Sequence, residues 1–138
     1  MSGPAGIRSA IVHLKAERIG HGIRILEDPE LVELARSRGI ALEVCPTSNV
    51  MLGMVRGPSE HPLRELIRAG LVVTLNSDIP GVLGTTLTSD YIFAREHSDL
   101  DDQALAALAK AGVEASFAHP NLKKEIERDI DSWLSAPK

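Results

Sequence analysis

Leu71-Val72-Val73-Thr74-Leu75-Asn76-Ser77-Asp78 carries the clearest structural signal in the chain. A nearly continuous apolar run follows Gly70 and breaks into polar residues. Such a run reads as a strand buried on both faces, as in a parallel sheet covered by helices. Just upstream, His61-Pro62 opens a helix whose face is Leu63, Leu66 and Ile67, and Gly70 closes it. The same grammar recurs one unit earlier. Asp28-Pro29 supplies a capping carboxylate and a first-turn proline, Leu31, Leu34, Ala35 and Arg38 give the face, and Gly39 ends the helix. Ile40-Ala41-Leu42-Glu43-Val44-Cys45 is then strand-like and is stopped by Pro46. Earlier still, Ile7, Ala10, Ile11 and Leu14 share one helical face, and Arg18-Ile19-Gly20-His21-Gly22 reads as a brief strand ending in glycine. Helix and strand thus alternate three times, the pattern of a parallel α/β sheet. Downstream the chain turns helical: Leu87 to Glu96, an alanine-rich helix capped within Ser98–Gln103, and Asn121 to Leu134 with Leu122, Ile126, Ile130 and Trp133 in register.

Composition bounds the function. The 138 residues suffice for one domain or part of one, with no linker or low-complexity segment, whereas a complete eight-fold α/β barrel takes ~250 residues. Hydrophobic residues at 43% and charged residues at 25% describe a globular chain. A net charge of −4 argues against a nucleic-acid or anionic-membrane binder, which needs a basic face. The single cysteine, Cys45, excludes an internal disulfide and a multi-cysteine zinc site. With no signal-peptide pattern at Met1-Ser2-Gly3 and no long apolar stretch, the expected address is cytoplasmic.

Each strand runs into a polar cluster: His21 between Gly20 and Gly22, then Cys45-Pro46-Thr47-Ser48-Asn49, then Asn76-Ser77-Asp78-Ile79-Pro80-Gly81. In parallel α/β folds ligands bind beyond the carboxyl ends of the strands. The clusters recur about every 28 residues (21, 49, 78), close to the ~31 residues per unit of an eight-fold barrel. A histidine and an aspartate so placed suit metal ligation, or a general base and its partner. The flanking glycines would let a ligand approach the backbone. A turn histidine and a structural aspartate before proline are the alternatives. Elsewhere, His13 is expected to pack partly buried on its helix, His61 to cap a helix with a loop-lining role open, and His97 and His119 to sit at helix ends. Cys45 reads as a small buried strand-end residue. No phosphate loop, serine elbow or nucleotide fingerprint is present.

Taken in order, Glu17-Arg18-Ile19-Gly20-His21-Gly22, Leu42-Glu43-Val44-Cys45-Pro46-Thr47-Ser48-Asn49, His61-Pro62-Leu63, Val73-Thr74-Leu75-Asn76-Ser77-Asp78, Gly84-Thr85-Thr86-Leu87 with Tyr91, and Glu114-Ala115-Ser116-Phe117 resemble the C-terminal part of adenosine deaminases. The resemblance implies a metal-dependent, amidohydrolase-type (β/α)8 barrel that hydrolytically deaminates adenosine or a related adenine compound through a zinc-bound water. On that basis residues 1–138 are a single incomplete domain: about the last three βα units of the barrel plus C-terminal helices. His21 would then orient and help activate the attacking water, as the catalytic residue. Asp78 would be a zinc ligand. Ile79 stands where the family usually has a second aspartate that contacts the purine, so no substrate-binding residue carries over.

The family's first-strand His-x-His pair and fifth-strand His-Ala-Gly-Glu motif have no counterpart, and the chain is expected to begin just beyond the latter. One carboxylate cannot hold a catalytic zinc, which takes three protein ligands. The isolated chain is therefore expected to hold no stable zinc and to be inactive. Two alternatives stand beside a deaminase fragment: a non-catalytic remnant that binds a nucleoside or a protein, and a half-enzyme complemented by another chain. The expected partner is an adenine nucleoside or related purine, with no nucleic acid and no membrane. Adenosine, deoxyadenosine, adenine and aminodeoxyfutalosine deaminases share these strings, so the substrate stays open. A three-stranded piece of barrel is expected to leave open edges and an apolar sheet face, and hence to self-associate or recruit a complementing chain. If stable alone, it is expected to draw the C-terminal helices over that face.

Overall fold

The computed structural model describes residues 3–136; Met1 and Ser2, where the signal-peptide reading begins, lie outside the described residues. Three strands, β1 (Arg18–Gly20), β2 (Ala41–Val44) and β3 (Val72–Leu75), pair in parallel in that order. Helix α1 (Pro4–Val12) precedes β1, α2 (Pro29–Ser37) links β1 to β2, and α3 (Pro46–Met51) and α4 (Leu63–Arg68) lie between β2 and β3. The starts and stops are those the sequence signals. Asp28 accepts the Leu31 N–H to cap α2, and Gly39 beyond α2 and Gly70 beyond α4 take φ of 62° and 72°. Only glycine adopts that backbone without a side-chain penalty.

The sheet register separates two faces. Ile19, Leu42 and Val73 lie in one row and Val44 and Leu75 in the next on the same face. They form the core with Ile7 and Ile11 of α1, Leu31 and Ala35 of α2, and Leu63 and Leu66 of α4. Because side chains alternate along a strand, the opposite face carries Arg18, Ala41 and Val72, then Gly20, Glu43 and Thr74. Arg18 Nη1 lies 3.4 Å from Glu43 Oε1, and the Arg18 guanidinium covers the Phe117 ring at 4.3 Å. The face expected to be apolar is mixed: Val72 and Ala41 lie on it beside the Arg18–Glu43 ion pair and Thr74.

Beyond β3 come a short α5 (Pro80–Leu83) and the longer α6 (Leu87–Ser98), α7 (Asp102–Ala115) and α8 (Pro120–Ser135). Thr86 and Ser89 form a capping box on α6, and the Asp101 carboxylate accepts the Ala104 N–H to cap α7. Helix α7 packs against β3, and α8 packs on α7, pinned by Lys110 Nζ to Asp131 Oδ1 at 2.6 Å. The C-terminal helix therefore has α7 as its main support and is not drawn over the open sheet face. Ile126, Ile130 and Trp133 of α8 line an apolar groove of about 470 Å³ with Tyr91, Ile92 and Leu105.

Two readings change at the first helix. It ends at Val12, so Leu14 is 78% exposed instead of completing the apolar face, and His13, expected to pack, is exposed as the C-terminal cap. No helix among the described residues is long and apolar enough to cross a membrane.

Candidate active site at the strand ends

His21 extends the ladder one residue past β1: its N–H donates to Glu43 O at 2.9 Å. The chain then turns sharply, with φ of 58° at His21 and 69° at Gly22. The two glycines differ in purpose. A Cβ on Gly22 would lie 2.8 Å from Leu42 Cδ2, so that glycine serves the turn and the packing beneath it; Gly20 has nothing within 4 Å and leaves room beside the strand end. Asp78, beyond β3, also takes a left-handed backbone, at φ 57°. Such conformations cost non-glycine residues about 1–3 kcal/mol each and collect at functional sites. Both sequence-predicted residues carry that strain.

The structure brings the two together, with His21 Nε2 lying 3.9 Å from Asp78 Oδ2. Between them in the sheet order, the segment after β2 supplies the supports. Pro46-Thr47-Ser48-Asn49, read from sequence as a polar loop, forms the first turn of α3, with Ser48 and Asn49 buried. Ser48 Oγ donates to Asp78 Oδ2 at 2.7 Å. Asn49 lies between two imidazoles, with Nδ2 3.0 Å from His21 Nδ1 and Oδ1 3.0 Å from His61 Nε2.

His61 does more than the expected capping. Its Nδ1 accepts the Leu63 N–H at 3.2 Å, while Nε2 reaches Asn49. Its ring is 5% exposed and meets Phe93 edge-on at 5.6 Å between centroids. Burial drives its pKa down from 6.5 to about 4, so it is neutral near pH 7. Burial likewise raises the pKa of the Asp90 carboxyl, whose Oδ1 accepts the Thr47 N–H at 2.9 Å and so ties α6 to the start of α3. Cys45 is buried as expected. Its thiol is pushed up to about 12, first by burial and then by the Asp78 and Asp90 carboxylates, and it donates to Glu43 O.

Ser48, Asn49 and the second contact of His61 had no assigned role in the sequence reading. What marks them in the sequence is a run of small polar residues after a buried strand, and their place in two of the strings that resemble adenosine deaminases, Leu42–Asn49 and His61-Pro62-Leu63. Ile79 follows Asp78 and is 43% exposed. His97 meets the Phe93 ring and His119 Nδ1 accepts the Asn121 N–H, so both are structural at helix ends.

A catalytic zinc needs three protein ligands and an open position. The donors converging at this place are Asp78 and His21, and among the described residues no group of three or more His, Cys, Asp or Glu could hold a metal. The donors among the described residues do not by themselves fit that ion.

Parallel strands joined by helices, with a strained histidine and aspartate facing each other beyond the strand ends, define a segment of an α/β barrel whose chemistry sits at that face. The chain belongs to the adenosine deaminase family, which it matches over residues 1–133. It is 46% identical over 135 residues to an aminodeoxyfutalosine deaminase of Streptomyces avermitilis, covering 98% of this chain and 38% of that protein. To an adenine deaminase of Mesorhizobium japonicum it is 40% identical, covering 91% and 39%. The crystal structure of an adenine deaminase from Arthrobacter aurescens superposes with a TM-score of 0.94 at 32% identity, over 98% of this chain and 41% of that one. The chain thus spans about two-fifths of the length of these relatives. So close a superposition places α6, α7 and α8 as they lie in the longer protein.

Proposed function

We propose that these residues form the C-terminal part of a zinc-dependent purine deaminase barrel, exchanging the amino group of an adenine-type ring for the oxygen of water and releasing ammonia. His21 orients the attacking water. Asp78 contributes one metal ligand, and the remaining ligands come from a barrel portion outside the 138 residues. The observation that carries the reading is the His21–Asp78 pairing, made by two residues on left-handed backbone at parallel strand ends. The family and the 46% identity to an aminodeoxyfutalosine deaminase support the reaction type. We take the setting to be cytoplasmic.

The test is a reconstituted barrel. The upstream portion of the Streptomyces avermitilis relative is supplied either fused to this chain or as a separate polypeptide. Ammonia release is then monitored with adenosine, adenine and aminodeoxyfutalosine. The expected outcome is turnover that falls at least ~10²-fold in His21→Ala, the scale of a lost proton-handling or water-orienting group. A folded, zinc-loaded fusion with no turnover on any of them overturns the proposal. Turnover by the unfused pair identifies a complemented half-enzyme.

Ile79 favours a second reading, in which the chain binds a nucleoside without converting it. Its exposed aliphatic side chain offers no hydrogen bond at the position after Asp78. Purine binding without turnover, restored to turnover by Ile79→Asp, supports that reading.

A further inference from the structure

The hydrogen bonds around Asn49 run in one direction only. A main-chain N–H can only donate, and Leu63 N lies 3.2 Å from His61 Nδ1. That nitrogen therefore holds a lone pair. The ring is buried and neutral, so its one proton is on Nε2, which faces Asn49 Oδ1 at 3.0 Å. The orientation of the Asn49 amide is thereby fixed. Its Nδ2 must face His21 Nδ1, 3.0 Å away, and donate to it; Nδ2 also contacts Met54 Sδ at 3.4 Å. A neutral His21 that accepts at Nδ1 carries its proton on Nε2, the nitrogen nearest Asp78.

We propose that Asn49 and His61 are positioning residues that pass the polarity of the Leu63 N–H through three hydrogen bonds and hold His21 as its Nε2–H tautomer. Neutral His21 then presents a donor, not a lone pair, towards Asp78. A water held between them is oriented through its oxygen. The pattern matches a general rule for histidine sites, in which the bond made by one ring nitrogen fixes the state of the other. The inference takes from the proposed function only that His21 faces the reaction. The tautomer itself is a property of this chain and is measured without any turnover.

The experiment is long-range 1H–15N correlation of the imidazoles in the uniformly 15N-labelled chain, at a pH where they are neutral. His21 and His61 are each expected as a single Nε2–H tautomer, against the exchanging mixture of the exposed His97. Asn49→Asp supplies a group of the same shape that only accepts, and is expected to switch His21 to the Nδ1–H form. His61→Gln retains an N–H for Asn49 and is expected to keep His21 unchanged, whereas His61→Phe releases it to a mixture. His21 found as Nδ1–H or as a mixture in the unaltered chain overturns the proposal, whether or not the variants fold. So does a folded Asn49→Asp chain whose His21 stays Nε2–H. A reconstituted barrel that fails to deaminate while these signatures hold removes the proposed reaction and leaves the relay standing.

Discussion

The segments leaving β2 and β3 are both polar strand ends with a proline, yet the structure treats them in opposite ways. After β2, Pro46 starts a helix, and Ser48 and Asn49 are 1% and 0% exposed. After β3, Ile79 and Val82 are 43% and 79% exposed and α5 lasts four residues. The cause lies in the sheet order. β2 has a strand on either side, so the chain leaving it runs between His21 and Asp78 and is roofed by α6 through Asp90. Among the described residues β3 has only β2 as a sheet neighbour, and the segment leaving it stands at the margin. One half of the site is organised by contacts inside these 138 residues. The other half, which holds Asp78, is braced on its polar side by Ser48.

Acid and a graded set of substitutions test that contrast. The largest effect is expected from acid. His61 has a folded pKa of about 4 against 6.5, so below pH 6.5 the unfolded chain binds a proton that the folded chain does not. Stability is then full above about pH 6.5 and falls as pH drops towards 4, by roughly 3 kcal/mol at about 1.4 kcal/mol per pKa unit. Urea unfolding across that range reads the loss, and His61→Gln is expected to remove its steepest part. Next, Asn49→Ala strands the His61 Nε2–H in a buried site and should cost about 2–3 kcal/mol. An unchanged midpoint would break the picture of a self-organised β2 segment. Asp90→Ala leaves the Thr47 N–H without its acceptor, for about 1–2 kcal/mol, whereas Asp90→Asn keeps an acceptor and should cost less. At the margin, Val82→Ser and Ile79→Asp should each change stability by less than ~0.5 kcal/mol. A larger loss at either position in the isolated chain would mean that the β3 segment is as tightly held as its neighbour.

The strand–helix alternation could be read from the chain because its signals are local. Asp28-Pro29, His61-Pro62, Gly39 and Gly70 act within a few residues of where they stand. The same locality misled at two helices. Ile7, Ile11 and Leu14 share a helical spacing, but the helix stops before Leu14. Conversely Thr47-Ser48-Asn49 has poor intrinsic helix preference, yet it is helical behind Pro46 at the first helical position, with the Asp90 carboxylate on the Thr47 N–H and Asn49 buried. Tertiary contact overrode propensity there. The mixed inner face was open to the same error, since the alternation of Arg18, Glu43 and Thr74 against Ile19, Leu42 and Val73 acquires meaning only from the register that aligns them.

What the amino-acid order determined alone is where the strands end, and therefore that His21 and Asp78 stand at equivalent places in repeated units. Hydrophobic run length and turn chemistry suffice for that, because both operate along the backbone. Only the tertiary structure decided that Asn49 reaches His21 and His61 while Ser48 reaches Asp78, and that both candidate residues sit on left-handed backbone. Those pairings join residues 12 to 30 positions apart. No local preference spans such distances; the parallel register does, by setting three strand ends side by side.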